Sequence, residues 1–199
     1  MKKFGLALAL VVAAGAAQAK DPTFGGSLNG LTGNVGTGST RSSVLSFDVG
    51  GINSWDGFGS ALNEVYSSNI GANSHVIGIG WDVNLTANSP SWLSELVVSF
   101  ESTSTTYVFL TAGVGNDFPG SANFSSGGIV DLVGIGLDFS VDGDGALVME
   151  FFEGFDDFGG GIDGHWDSGT IWVEYEPVPA PGAFGLLAGA GLLAARRRR

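Results

Sequence analysis

The chain has 199 residues, 34 of them Gly and none Cys, with 8 Lys+Arg against 20 Asp+Glu and a formal charge of −12. The basic residues gather at the ends (Lys2, Lys3, Lys20, Arg196, Arg197, Arg198, Arg199), leaving Arg41 alone inside, so the segment from Lys20 to Pro177 carries −18 from two cations and twenty acids. That body excludes a counterion-releasing footprint for nucleic acid or anionic lipid, and the lack of Cys excludes a disulfide framework, thiol catalysis and zinc–thiolate sites.

At the N-terminus, Lys2 and Lys3, the apolar run Phe4 to Ala14 and the small residues through Ala17 and Ala19 have the three parts of a secretory signal peptide. Cleavage is expected after Ala19, giving a signal peptide over 1–19. The Gly-rich stretch 25–38 reads as a flexible or edge-forming lead.

The body, 20–177, reads as strands separated by turn clusters. In 75–85 the positions His75, Ile77, Ile79, Trp81, Val83 and Leu85 alternate with Gly78, Gly80, Asp82 and Asn84, the period of a half-buried strand. Leu96, Val98 and Phe100 alternate in the same way with Ser99 and Glu101, and Ile129 to Val141 reads as one more such strand. Shorter strands are expected at Val44–Val49, Thr106–Thr111, Ala146–Glu153 and Thr170–Glu176. Turns are expected at Asn88-Ser89-Pro90, Gly115-Asn116-Asp117, Asp142-Gly143-Asp144-Gly145 and Gly159-Gly160-Gly161. No useful helical period is present, and at most one helical turn fits near Ala61–Tyr66. Seven or more strands without βαβ spacing predict an all-β chain, an antiparallel β-sandwich that is jelly-roll-like.

Three groups of side chains are candidates for chemistry. Asp142-x-Asp144-Gly145 begins like a calcium loop, but position five is Ala146 and no Glu closes it at twelve, so it is either a non-EF calcium site completed by Asp156, Asp157 or Asp163, or a pair of Asp-Gly turns. Trp172, Glu174 and Glu176 share one face of the last strand, the arrangement of an aromatic platform and acceptors for a carbohydrate, unless both faces are buried. Glu150, Glu153, Glu174 and Glu176 are the carboxylates that a glycan hydrolase would need in facing pairs. His75, expected to begin a strand, and His165, expected in a loop beside Trp166, are the two imidazoles available for Ser catalysis, and no Gly-x-Ser-x-Gly elbow accompanies them. No catalytic residue and no cofactor is assigned, calcium being the one ion the acids invite.

The C-terminal tail, 178–199, has Val178-Pro179-Ala180-Pro181-Gly182, then thirteen uncharged residues from Ala183 to Ala195, then Arg196, Arg197, Arg198 and Arg199. Thirteen helical residues reach about 20 Å against a hydrocarbon core of about 30 Å, so a helix must start near Val178 and its arginines must snorkel to cross. The arginines then stay at the cytoplasmic face. Together, the Pro-x-Pro-Gly element, the Gly-laced run Phe184 to Leu193 and the Arg cluster resemble the tripartite PEP-CTERM sorting signal, with Ala180 where that family usually carries Glu. The resemblance covers the last 22 residues. It implies recognition by an exosortase-type membrane transpeptidase cleaving near Pro179, Pro181 and Gly182, after transient membrane insertion through the tail, in a bacterium that exports polysaccharide. On this reading the protein is secreted or at the cell surface via the inner membrane. It is a non-enzymatic structural or adhesive component of an exopolysaccharide matrix or biofilm, with a lectin-like carbohydrate- or calcium-binding module as the alternative and a secreted glycan hydrolase as a third.

Overall fold

A computed structural model describes residues 23–28, 42–104 and 106–178. The expectations for the signal peptide (Ala17, Ala19) and for the sorting tail from Pro179 to Arg199 lie outside the described residues. Among the described residues no helix is long and apolar enough to cross a membrane.

The strands are β1 (Thr23–Ser27), β2 (Ser43–Asp48), β3 (Ile52–Ser54), β4 (Glu64–Asn69), β5 (His75–Ala87), β6 (Leu96–Glu101), β7 (Thr106–Leu110), β8 (Gly120–Asp131), β9 (Phe139–Ser140), β10 (Ala146–Glu153) and β11 (Gly164–Glu176). One sheet has the order β1-β7-β6-β10-β4, and the other β2-β11-β5-β8 with β3 on β11 and β9 on β5. All of these pairings are antiparallel except the edge contact of β1 with β7. The pairs β2–β11, β4–β10, β5–β8 and β6–β7 nest inside one another along the chain. The protein is therefore mostly antiparallel β-sheet, as its period-two runs predict.

The two sheets meet through side chains of alternate residues. Phe47 of β2 lies edge-on to Tyr66 of β4 with ring centroids 5.2 Å apart, and stacks at 6.0 Å on Phe151 of β10. Phe151 in turn meets Trp166 of β11 edge-on at 5.1 Å. Around this layer pack Ile79, Val83, Leu85, Leu96, Val98, Phe100, Leu147, Met149, Ile171 and Val173, all fully buried.

Several expectations change in the structure. The alternation of β5 holds from Ile79 to Leu85, but Val76 is buried while His75 and Ile77 are only half-buried. A register shift between Glu174 and Tyr175 on the partner strand reverses the phase there. Ser99 and Glu101, expected to be wet, are buried. The outer face of their sheet is covered by the 55–63 loop, whose Phe58 meets Phe109 and Phe152 at 5.1 Å each. The segment 129–141 is not one strand: after β8 comes the helical turn α1 (Leu132–Ile135), leaving Val133 and Ile135 exposed. Asp131 caps it by accepting from the Gly134 N–H at 3.1 Å, and Gly136 ends it at φ 72°, a conformation glycine adopts at little cost. The stretch Ala61–Tyr66, read as room for at most one helical turn, instead runs into β4 from Glu64, and β11 begins at Gly164 rather than Thr170.

Because Phe151 touches both sheets, Phe151→Ala should cost about 3–5 kcal/mol. At roughly 2–4 °C per kcal/mol for a chain of this size, calorimetry should show a drop in melting temperature of about 6–20 °C, and a loss under 2 °C would contradict this cross-sheet role.

Candidate functional site

The inward face of β10 carries Leu147, Met149, Phe151 and then Glu153, so the strand's period places a carboxyl group directly beyond the aromatic layer. Glu153 is 1% exposed, and neither of its oxygens has a hydrogen-bond partner. Its backbone N–H donates to the Asp56 carbonyl at 2.9 Å, and the next N–H, of Gly154, to the Glu95 carbonyl at 2.7 Å. These bonds fix where the strand ends.

Asp163 closes the connection from β10 to β11 and is 0% exposed. Its N–H donates to the Ser54 carbonyl at 3.0 Å, and its own carbonyl accepts from the Asn88 N–H at 2.8 Å. One carboxylate oxygen, Oδ2, accepts from the Asp157 N–H at 2.9 Å, whereas Oδ1 has no partner. Ser91, whose N–H donates to the Asn88 carbonyl, is also buried with an unpartnered hydroxyl. Ser54, facing Gly164 across the β3–β11 pair, donates its hydroxyl to the Phe152 carbonyl at 3.3 Å. Gly164 lets β11 start this close: an added Cβ would stand 2.8 Å from both Leu96 methyl groups and 2.9 Å from the Thr86 carbonyl oxygen.

The electrostatics follow from burial without countercharge. Burial pushes the Glu153 carboxyl up to about 8, and the charges of Asp163, Glu95 and Asp157 add to that, while the nearby Ser54 hydroxyl opposes it. Asp163 is raised by burial and by Asp156 and Asp157, against the opposing bond from the Asp157 N–H and the nearby Ser91 hydroxyl. Glu95 is raised by burial and by Asp157, Asp163 and Asp117, although its carboxylate accepts from the Trp92 N–H at 2.7 Å. The described residues include no Lys or Arg. No group of three His, Asp or Glu among the described residues converges closely enough to hold a metal ion by itself.

The other candidates are placed as follows. Trp172, Glu174 and Glu176 share the outward face of β11 opposite the buried Ile171 and Val173, as expected; Trp172 and Glu176 are half-buried and Glu174 is 9% exposed. Trp172 stands between Ser46 and Gly80 in the ladder. Gly78 lies below Glu174, where an added Cβ would run into Ile129 and come within 3.3 Å of the Glu174 Cβ.

Asp142 accepts from the Thr103 hydroxyl at 2.8 Å and from the Ser104 N–H and hydroxyl at 2.6 and 2.8 Å, bonds that hold its carboxyl below the usual range. Asp144 accepts from the Ala146 N–H at 3.0 Å. Asp142 thus bonds to the 103–104 turn and Asp144 within its own loop, as Asp side chains in turns do. The four glutamates proposed for hydrolysis do not face one cleft. Glu150 lies on the outer face of its sheet, accepting from the Gly59 N–H at 2.6 Å and the Asn63 amide at 2.7 Å. Glu153 lies at the core end, and Glu174 and Glu176 on the far sheet. His165 is in β11 rather than a loop, with Nδ1 2.8 Å from the Asn53 amide oxygen and Nε2 3.3 Å from the Asn88 amide nitrogen. His75 begins β5 and sits 2.7 Å from Asp138.

In the sequence, Glu153 and Asp163 stand out only as members of larger sets of acids. The signal that isolates Glu153 is the run Leu147-x-Met149-x-Phe151-x-Glu153, which puts a charge on an apolar face. Nothing comparable marks Asp163, which is buried by the β3–β11 pairing.

A carboxyl group whose folded pKa is raised holds a proton that the unfolded chain has released, so stability falls as pH rises from the ordinary Glu range toward about 8 and levels off above it. In chelator, the melting temperature should therefore fall by several degrees between pH 5 and pH 8, at roughly 2–4 °C per kcal/mol. Glu153→Gln should remove most of that slope, and an equal slope in wild type and variant would contradict the assignment.

No protein-family model matches the chain, and no curated protein matches it. Among solved structures, the infectious bursal disease virus VP2 subviral particle aligns with 81% of this chain and 50% of its own, at 12% identity and a TM-score of 0.33. The chain thus spans about half the length of that protein. The Tobacco streak virus coat protein dimer aligns with 71% of this chain and 89% of its own, at 10% identity and a TM-score of 0.27. The infectious bursal disease virus Gx strain structure covers 72% and 38%, at 14% identity and 0.29. These likenesses are too slight to carry an argument about what the chain does.

Proposed function

We propose that this chain is an exported β-sandwich protein that an exosortase-type transpeptidase sorts through its C-terminal tail, and that it serves as a non-enzymatic structural or adhesive component of the cell surface or exopolysaccharide matrix. The observation that carries this reading is the order Pro179-x-Pro181-Gly182, apolar run, Arg196–Arg199. Proline disfavours helix at its own position and at the one before it, so such a Pro-x-Pro sequence would suit a processing enzyme that needs an extended segment.

The fold is compatible with removal of both ends. The first ladder residue, Thr23, follows Ala19 by four positions, and the last, Glu176, precedes Pro179 by three. The nested strand pairs support a jelly-roll reading of the body. The ring nitrogens of His165, each facing an Asn side chain, favour a structural role over a general base. The localisation that follows is secretion across the inner membrane to the bacterial envelope or beyond.

A carbohydrate-binding module is the second reading, favoured by the outward placement of Trp172 beside Glu174 and Glu176. Binding on a glycan array that falls at least about tenfold in Trp172→Ala, the loss of one aromatic contact at a binding centre, would support it.

For sorting, replacing Pro179 and Pro181 together by Ala should leave a full-length, membrane-retained form on a blot of the native host, and mass spectrometry of the wild-type protein should find ends near Lys20 and the Pro179–Gly182 segment. Wild-type processing of the double variant would contradict the reading.

A further inference from the structure

Among the described residues, four of the five buried side-chain polar atoms without a partner are oxygens at one end of the sandwich: both of Glu153, Oδ1 of Asp163 and the hydroxyl of Ser91. The contacts linking them are short: Ser91 to Asn88, Asn88 to Asp163 and Asp163 to Ser54, each a backbone bond of 2.8 to 3.0 Å, then the Ser54 hydroxyl to the residue preceding Glu153 at 3.3 Å. An unpaired buried carboxylate is among the costliest groups a fold can carry. Here Glu153 is wholly unpaired and Asp163 is paired through one oxygen alone, with Glu95 and Asp157 close enough to act on Glu153 and no Lys or Arg among the described residues.

We propose that this end of the sandwich is a binding site for a calcium-type divalent cation, held by the carboxylates of Glu153 and Asp163 and completed by the Ser91 hydroxyl, backbone carbonyls and water. The donor set is all oxygen, which selects a hard cation over zinc or copper. Only two carboxylates are available at the centre, so neutral oxygens must fill the rest of the shell. Calcium, with six to eight ligands in flexible geometry, accepts that more readily than magnesium does. The ion would neutralise the acids at the root of the β10–β11 connection, 154–163, whose Phe155 is 64% exposed. The site is distinct from Asp142 and Asp144 and independent of how the chain is sorted.

Equilibrium dialysis of the purified protein against radioactive calcium at pH 8 tests it. One calcium per chain is expected, weakened at least about tenfold in Glu153→Gln and in Asp163→Asn, and unchanged in the Asp142→Asn/Asp144→Asn double variant. Wild-type protein provides a second readout that needs no variant: calcium should slow chymotrypsin cleavage after Phe155 and Phe158 at least about tenfold relative to chelator. No calcium uptake at millimolar concentration, uptake that survives both carboxyl changes, loss of uptake in the Asp142/Asp144 variant, or cleavage rates that ignore calcium would each overturn the proposal.

Discussion

The whole arrangement depends on apolar contact between two sheets in a chain that has no disulfide to hold them and almost no cation in its body. Phe47, Tyr66, Phe151 and Trp166 span the interface as one chain of ring contacts 5.1 to 6.0 Å apart. Such edge-on and stacked pairs add to the area they bury. The strands that supply them are the outermost pair in sequence, β2 with β11, and the next, β4 with β10. Packing of these rings therefore brings together parts of the chain more than a hundred residues apart.

The same periodicity that builds this layer also ends it on a charge. Two residues past Phe151, β10 turns Glu153 inward, and the return of the chain through Asp163 sets a second carboxylate nearby. On the outer face of the same sheet, Glu150 has N–H donors to satisfy it. Glu153 has none. This contrast between acids three residues apart on one strand separates a structural role from a site that invites a ligand.

Much of the sheet architecture was legible in the sequence, because an alternating face is a local property. Ala146–Glu153 matches β10 residue for residue, and Val44–Val49 and Thr106–Thr111 match β2 and β7 to within one residue. The errors arose where a non-local or single-residue effect overrides the period. Gly136 in the left-handed region and the Asp131 cap turn 132–135 into a helical turn although its apolar spacing reads as strand. The bulge at Ile77, between the partners of Glu174 and Tyr175, shifts which of Val76 and Ile77 faces the core. β4 was hidden because Glu64-Val65-Tyr66-Ser67 carries its apolar residues on both faces.

The candidate site was legible only in fragments, since the residues grouped with Glu153 come from β3, the turn at Asn88 to Ser91 and the β10–β11 connection, which the strand order alone brings together. Acidity along the chain says that cations are welcome without saying where, and burial selects the place. The most direct measurement is a crystal structure of the protein grown with calcium at pH 8, with anomalous scattering to locate the ion. One calcium is expected within about 2.3–2.6 Å of oxygens of both Glu153 and Asp163. Calcium confined to surface acids, with the two carboxyl groups protonated or bridged by water alone, would contradict it.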